Sequence, residues 1–309
     1  MRDLTIQSAN QITVIGKLLE CDIKEGMTKA NKPYARADLT VRVTQTYGGK
    51  EETSEITLPF FSCKYTNAGK SNPAYEEIMK FKSLRTAASA GIDNADVIRV
   101  GGKSGGSIEE NFYMNRNTGK LSDIWRLSCS FTSRANEAMG EIASWSADIF
   151  ILDIKEEFDS NEEPTGRVIV RGGIVQYGGR LDVLNFIIED PNAADYFTRN
   201  YAVNDTINAC GRIRMTSKEV QKASSKESSW GEDLFTTTTT RHVNELILTG
   251  AKPSYNTDNE DMAYDPVEIK KGFNARKARM EQAQLDASAV KKPAAAAPKA
   301  DANPYAWEG

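Results

Sequence analysis

From Tyr34 to Thr44 the chain alternates without a break. Tyr34, Arg36, Asp38, Thr40, Arg42 and Thr44 take turns with Ala35, Ala37, Leu39, Val41 and Val43. A period of two describes a strand with one apolar face and one wet face. The wet face carries two arginines and a tyrosine, groups that neutralise phosphates and stack on bases. An ordinary solvated strand face fits the same residues, so the order of the surrounding elements has to decide between the two readings.

A strand over residues 11–19 precedes it, interrupted by Gly16, as expected where a strand bends sharply round a small barrel. The Gly48-Gly49 turn then leads into a third strand over 56–65. Asn72-Pro73 opens a helix, with Asn as the cap and Pro at the first helical position. A strand over 96–102, a hairpin turning at 117–120 and a strand over 124–131 complete the unit. The order β-β-β-α-β-β is that of the OB-fold barrel. A second, abbreviated unit follows. Residues 168–175, with Gly172-Gly173, match the Gly-bent first strand, and 181–188 follows the Gly178-Gly179 turn. Asp190-Pro191 opens a helix, strands follow over 208–215 and 243–248, and a polar insertion at 216–233 separates them.

The fold class is therefore mainly β: two OB-fold-like Greek-key barrels in tandem, then a charged helix and a disordered C-terminal tail. The expected divisions are 1–135, a connecting segment 136–164, a second OB-like unit 165–255, an acidic stretch and charged helix 256–286, and a tail 287–309. Asp265 and Glu268 have capping-box spacing at the helix start, and sparse apolar positions predict a lightly docked or free helix. The Ala/Pro/Lys tail cannot bury a core.

Composition narrows the function. No apolar run approaches the ~20 residues that cross a bilayer, and no signal-peptide pattern opens the chain, so no membrane partner and a cytoplasmic location are expected. The four cysteines form no CxxC pair, and His242 is the one histidine, which argues against zinc sites and His-based catalysis. The 101–106 glycine loop follows a strand but opens no helix, so it is read as a flexible loop and no cofactor is called for. Asp22 and Asp38 are isolated carboxylates, unlike a nuclease metal cluster, and the chain is read as no enzyme. Residues 1–134 hold 19 Lys and Arg against 15 Asp and Glu, and the remainder holds 20 against 28, within a net charge of −4. A basic front and an acidic back suit an anion-binding unit followed by one that does not share its ligand.

With these elements in place, the chain resembles single-stranded DNA-binding proteins of the OB-fold type, most closely those of bacteriophages. The likeness rests on residues 12–18, 33–39 and 96–102, and on the 117–120 hairpin with Trp125 and Arg126 beyond it. It covers the first 135 residues, whereas the second unit is similar in element order only. Bacterial members carry one such fold per chain, usually assemble as tetramers and end in an acidic tip. This chain carries two such folds, and its last five residues hold one Glu with a Tyr and a Trp, so its oligomeric state and tail partner are left open. The resemblance implies sequence-tolerant binding of single-stranded DNA in viral DNA replication or recombination, in the cytoplasm of an infected bacterial host. An OB-fold assembly or docking protein of a phage is the alternative, since fold alone does not fix function.

Single strands cross an OB-fold near strands two and three, between the loops joining strands one and two and strands four and five. That nominates Lys29, Lys32, Tyr34, Arg36 and Arg42, then Phe60, Phe61 and Tyr65, then Phe112, Tyr113, Arg116, Lys120, Trp125 and Arg126. Phe60 and Phe61 are adjacent and point to opposite faces, so one is core. Arg171, Tyr177, Arg180, Arg212, Arg214 and Trp230 are candidates for extending the path over the second unit. Pro304, Tyr305 and Trp307 in the tail are expected to anchor replication or recombination proteins.

Overall fold

The computed structural model describes residues 1–102, 105–114, 121–159, 161–222 and 237–289. The first barrel is built from β1 (Asn10–Met27), β2 (Pro33–Tyr47), β3 (Lys50–Cys63), α1 (Pro73–Lys80), α2 (Ala87–Ala90), β4 (Val97–Gly101), β5 (Gly106–Met114) and β6 (Leu121–Cys129). β1 pairs with β2 and β2 with β3, both antiparallel, and β3 meets β6 in parallel at Phe60 and Cys129. β6 pairs with β5, and β4 returns to β1, which closes the ring. The alternation of β2 works as its sequence requires: Ala35, Ala37, Leu39, Val41 and Val43 are all buried in the core. Gly16 permits the turn of β1 round the barrel, because a Cβ there would meet the Arg42 carbonyl oxygen at 2.2 Å. Asn72 caps α1 by accepting from the Ala74 amide at 3.1 Å.

After β7 (Thr132–Arg134) the second barrel repeats this wiring with β8 (Ile142–Phe158), β9 (Pro164–Val175), β10 (Leu181–Ile188), α3 (Pro191–Asn200), β11 (Thr206–Lys222) and β12 (Thr237–Ala251). Ring closure runs β8–β9–β10, then in parallel to β12 at Ile187 and Ile247, then β11 and back to β8. Two sequence expectations are corrected here. Residues 142–158, read within a connecting segment, are the first strand of this barrel, and the Gly172-Gly173 strand is its second. The polar and charged residues at the far end of β8 disguise its buried half, where Trp145, Ala147, Ile149 and Ile151 alternate. The insertion read from residue 216 also begins as strand, since β11 runs to Lys222.

The barrels meet along their first strands, β1 against β8, from Asn10 opposite Ala147 to Ile15 opposite Ile142. On either side of this ribbon they exchange equivalent contacts. β11 of the second barrel lies on β3 of the first, where Ser54 Oγ accepts from the Met215 amide at 3.4 Å. β5 of the first lies on β10 of the second, where the Glu110 amide donates to Asp182 Oδ2 at 3.1 Å. One hydrophobic cluster runs through both barrels. After α4 (Tyr255–Asp258), the chain ends its described course in α5 (Pro266–Ala289), about 36 Å long at 1.5 Å per residue.

Helix α5 is firmly docked rather than lightly attached. Ile269 and Phe273 join a second cluster with Leu181, Val183 and Tyr264, and Gly272 lets the helix approach Leu181 closely. One turn on, Arg276 is 4% exposed and donates through Nε to Glu110 at 2.8 Å. Positions 269, 272, 273, 276 and 279 make one helical stripe. Two of its inward residues are arginines, which is why hydropathy missed it.

Candidate nucleic-acid interface

The outer face of β1, β2 and β3 collects the cations and aromatics at one end of the first barrel. Register places Lys24, Arg36 and Phe61 side by side across the three strands, with Gly26, Tyr34 and Cys63 in the next row. Phe61 is 61% exposed, and its ring centroid lies 5.4 Å from that of Tyr34. The Tyr34 ring covers Gly26, where a Cβ would meet the Tyr34 hydroxyl at 2.9 Å, so glycine makes room for the flat ring. Tyr65 is exposed, with Lys64 Nζ 5.8 Å from its ring centre. Lys29 and Lys32 are exposed in the neighbouring loop between β1 and β2. Arg36 pairs with Asp38 and Lys24 with Asp22, so carboxylates orient two of the cations without burying them. Such a face offers π-surfaces to bases and ammonium or guanidinium groups to phosphates.

Other nominated residues lie elsewhere. Phe60 is 2% exposed and meets Phe81 edge-on at 4.9 Å, so it is the core member of the pair. Arg42 sits eight residues along β2 from Tyr34, about 26 Å at 3.3 Å per residue, beside Lys17 and Glu55. Phe112 is not a free stacking surface: the guanidinium groups of Arg276 and Arg279 lie 5.4 and 5.9 Å from its ring centre. Trp125 turns towards the second barrel and donates its indole N–H to the Asn244 carbonyl at 3.3 Å. Tyr113 and Arg126 are exposed, Arg126 beside Glu109 at 3.3 Å. Arg116, Lys120, Trp230, Pro304, Tyr305 and Trp307 lie outside the described residues.

The candidate arginines of the second barrel are mostly engaged within the protein. Arg212 donates to Glu52 of β3 at 2.7 Å and to Glu189, and its guanidinium carbon lies 4.2 Å from the Tyr47 ring centre. Arg214 donates to Glu52 at 2.8 and 2.9 Å, to Glu245 at 2.8 Å and to Glu189 at 3.0 Å. Burial alone would disfavour ionised Glu52, but the hydrogen bonds from Arg214 and Arg212 hold its carboxyl below the ordinary range. Glu245 is lowered in the same way, against burial, by Arg167 and Arg214. These two arginines therefore join the barrels, with their guanidinium groups engaged by glutamates. Arg180 is held by Asp182 at 2.9 Å and Glu109 at 3.6 Å. Tyr177 is 88% exposed on its turn. Arg171 lines a groove of about 640 Å³ with Trp125, Ile124, Lys155 and Val183. Sequence reasoning could not assign Arg212 and Arg214, because their partners lie 160 and 162 residues away at Glu52.

Two closed barrels with this strand order define a tandem OB-fold protein. The chain belongs to the YorF family, whose sequence model matches residues 8–286. No curated protein sequence matches it. Among solved structures, the fold is similar to wild-type single-stranded DNA binding protein from Thermus aquaticus, with a TM-score of 0.51 at 11% identity, covering 80% of this chain and 94% of that one. A deletion mutant of the Thermus protein gives a TM-score of 0.45 at 11% identity over 80% and 95% of the two chains. A Plasmodium falciparum SSB in complex with ssDNA gives 0.27 at 17% identity over 42% and 98%.

Proposed function

We propose that this chain binds single-stranded DNA with little sequence preference, across the outer face of β1–β3 in the first barrel. The observation that carries the reading is the Tyr34–Phe61 pair, placed in register with Arg36 and Lys24 and flanked by Tyr65, Lys64, Lys29 and Lys32. A phenylalanine as exposed as Phe61 contributes little to the core, and stacking on bases gives it a use. Stacking and backbone charge serve any base, so the preference is for strandedness rather than sequence. The likeness to the Thermus protein supports the same reading through the fold that both share. The test is fluorescence anisotropy with labelled single-stranded and duplex oligonucleotides over a range of salt. Single strands should bind more tightly, with a log–log salt slope of about −0.7 for each phosphate neutralised. Equal affinity for duplex, or a slope near zero, would favour an assembly or docking role instead.

A place in viral DNA replication or recombination, in the cytoplasm of an infected bacterial host, follows the sequence resemblance. On that reading the tail residues Pro304, Tyr305 and Trp307 recruit the other proteins of the process. Deleting 303–309 should leave the affinity for single strands unchanged or slightly raised and abolish capture of replication proteins. Capture that survives the deletion would remove the tail from this account.

A further inference from the structure

A second group of cations lies on the β4–β7 side of the first barrel, away from the Tyr34–Phe61 face. β4 pairs with β7 so that Arg99 stands directly opposite Ser133. Arg99 is exposed and forms no ion pair among the described residues. Nearby, Asp96 is buried and accepts from Arg85 Nη2 at 3.0 Å and from Arg134 Nε at 3.2 Å. The side chains of Arg85 and Arg134 nevertheless remain 65% and 59% exposed. One buried carboxylate thus fixes two guanidinium groups at the surface. Arg134, opposite the buried Ile98, stands on the other face of the β4–β7 ribbon from Arg99, and the Arg85–Arg134 pair adds positive charge to this side of the barrel. Burial works against ionised Asp96, but hydrogen bonds from Arg85 and the charge of Arg134 hold its carboxyl below the ordinary range, which keeps this anchor charged.

Phe131, 47% exposed, stands just before β7. With Arg99, Gly101, Gly105, Thr132 and Ser133 it lines a cleft of about 310 Å³, near the lower limit of small-ligand sites. An aromatic ring beside the exposed Arg99 suits a ligand that carries both a π-face and a phosphate. Strand β1 links this cleft to the first face. Lys17 lies opposite Arg42 on β2 and opposite Val97 on β4, so outward cations continue along the strand. From Lys24 to Ile15, the partner of Arg99, is nine residues, about 30 Å of strand.

We propose that this cleft is a second contact for the same single strand, with a base stacked on Phe131 and a neighbouring phosphate paired with Arg99. The inference rests on the reading of the first barrel as a single-strand binder, and the experiment separates the two. The full chain and its R99Q/F131A double variant are titrated with labelled oligo(dT) of about thirty nucleotides, longer than the ~4–16 covered by one OB-fold. Both residues are exposed, so the thermal transition should not move. Affinity should fall about tenfold, the occluded length should shorten, and the log–log salt slope should become shallower by about 0.7 for each phosphate no longer neutralised. Wild-type binding with all three quantities unchanged in the variant would overturn the second contact alone. A wild-type protein that binds no single strand would overturn the functional reading and this inference with it.

Discussion

The two barrels exchange equivalent contacts across their shared β1–β8 ribbon, yet opposite chemistry closes the two seams. Where β11 lies on β3, Arg212 and Arg214 meet Glu52, Glu189 and Glu245, and the glutamates Glu52 and Glu245 are held below their ordinary range. Where β5 lies on β10, the buried groups are acids, Glu110 and Asp182, and cations must be brought to them. Arg180 supplies one, and α5 supplies Arg276 and Arg279. Burial dominates there and pushes the Glu110 carboxyl above its ordinary range, despite Arg276. One seam closes with its own strands, and the other is completed by the C-terminal helix. The arrangement engages Arg180, Arg212 and Arg214 of the second barrel inside the molecule, whereas the first presents Lys24, Arg36, Tyr34 and Phe61 together on one face.

The sharpest way to break this contrast is Arg276→Ala. It strands a buried Glu110 beside Asp182, and the cost should be about 3–5 kcal/mol, the usual loss when one partner of a buried pair is removed. Urea unfolding measures it, and a loss below ~1 kcal/mol would mean that α5 does not complete the seam. Arg214→Ala should cost somewhat less, about 3 kcal/mol, because its site is 17% exposed and Arg212 remains to serve Glu52 and Glu189. Single-strand affinity of the folded variant should stay within twofold of wild type.

Acid should separate the seams by sign. Glu52 and Glu245 have folded values below the ordinary 4.5, so their contribution is present above that pH and is lost as pH falls through the folded values. Glu110 has a folded value above 4.5, so its contribution is full below that pH and is lost as pH rises through the raised value. Thermal melts of Glu110→Gln should therefore gain stability relative to wild type towards neutral pH, whereas Arg214→Ala should flatten the acid limb. Identical pH profiles for the two variants would remove the distinction.

Much of the fold was legible because it rests on local signals. The alternation of β2, the Asn72-Pro73 and Asp190-Pro191 helix starts, and the Gly-Gly turns each act over a few residues. The first strand of the second barrel was not legible as such, because the charged end of β8, from Lys155 to Glu157, reads as linker. In the candidate face, Tyr34, Arg36 and one of two adjacent phenylalanines could be named from period alone. Deciding for Phe61 required Phe81, 21 residues beyond Phe60, to cover that neighbour. Arg212 and Arg214 carry the same charge as Arg36, and sequence holds nothing to tell a guanidinium facing solvent from one facing Glu52.

The central claim is that the first barrel, rather than its twin in wiring, holds the single strand. Phe61 and Tyr177 are both exposed aromatics, one on each barrel, so their alanine variants should melt with wild-type protein. In oligo(dT) titrations, Phe61→Ala should lose about 1–3 kcal/mol of affinity, the usual value of one stacked base, and Tyr177→Ala should lose almost none. Equal losses, or a loss for Tyr177→Ala alone, would contradict the account.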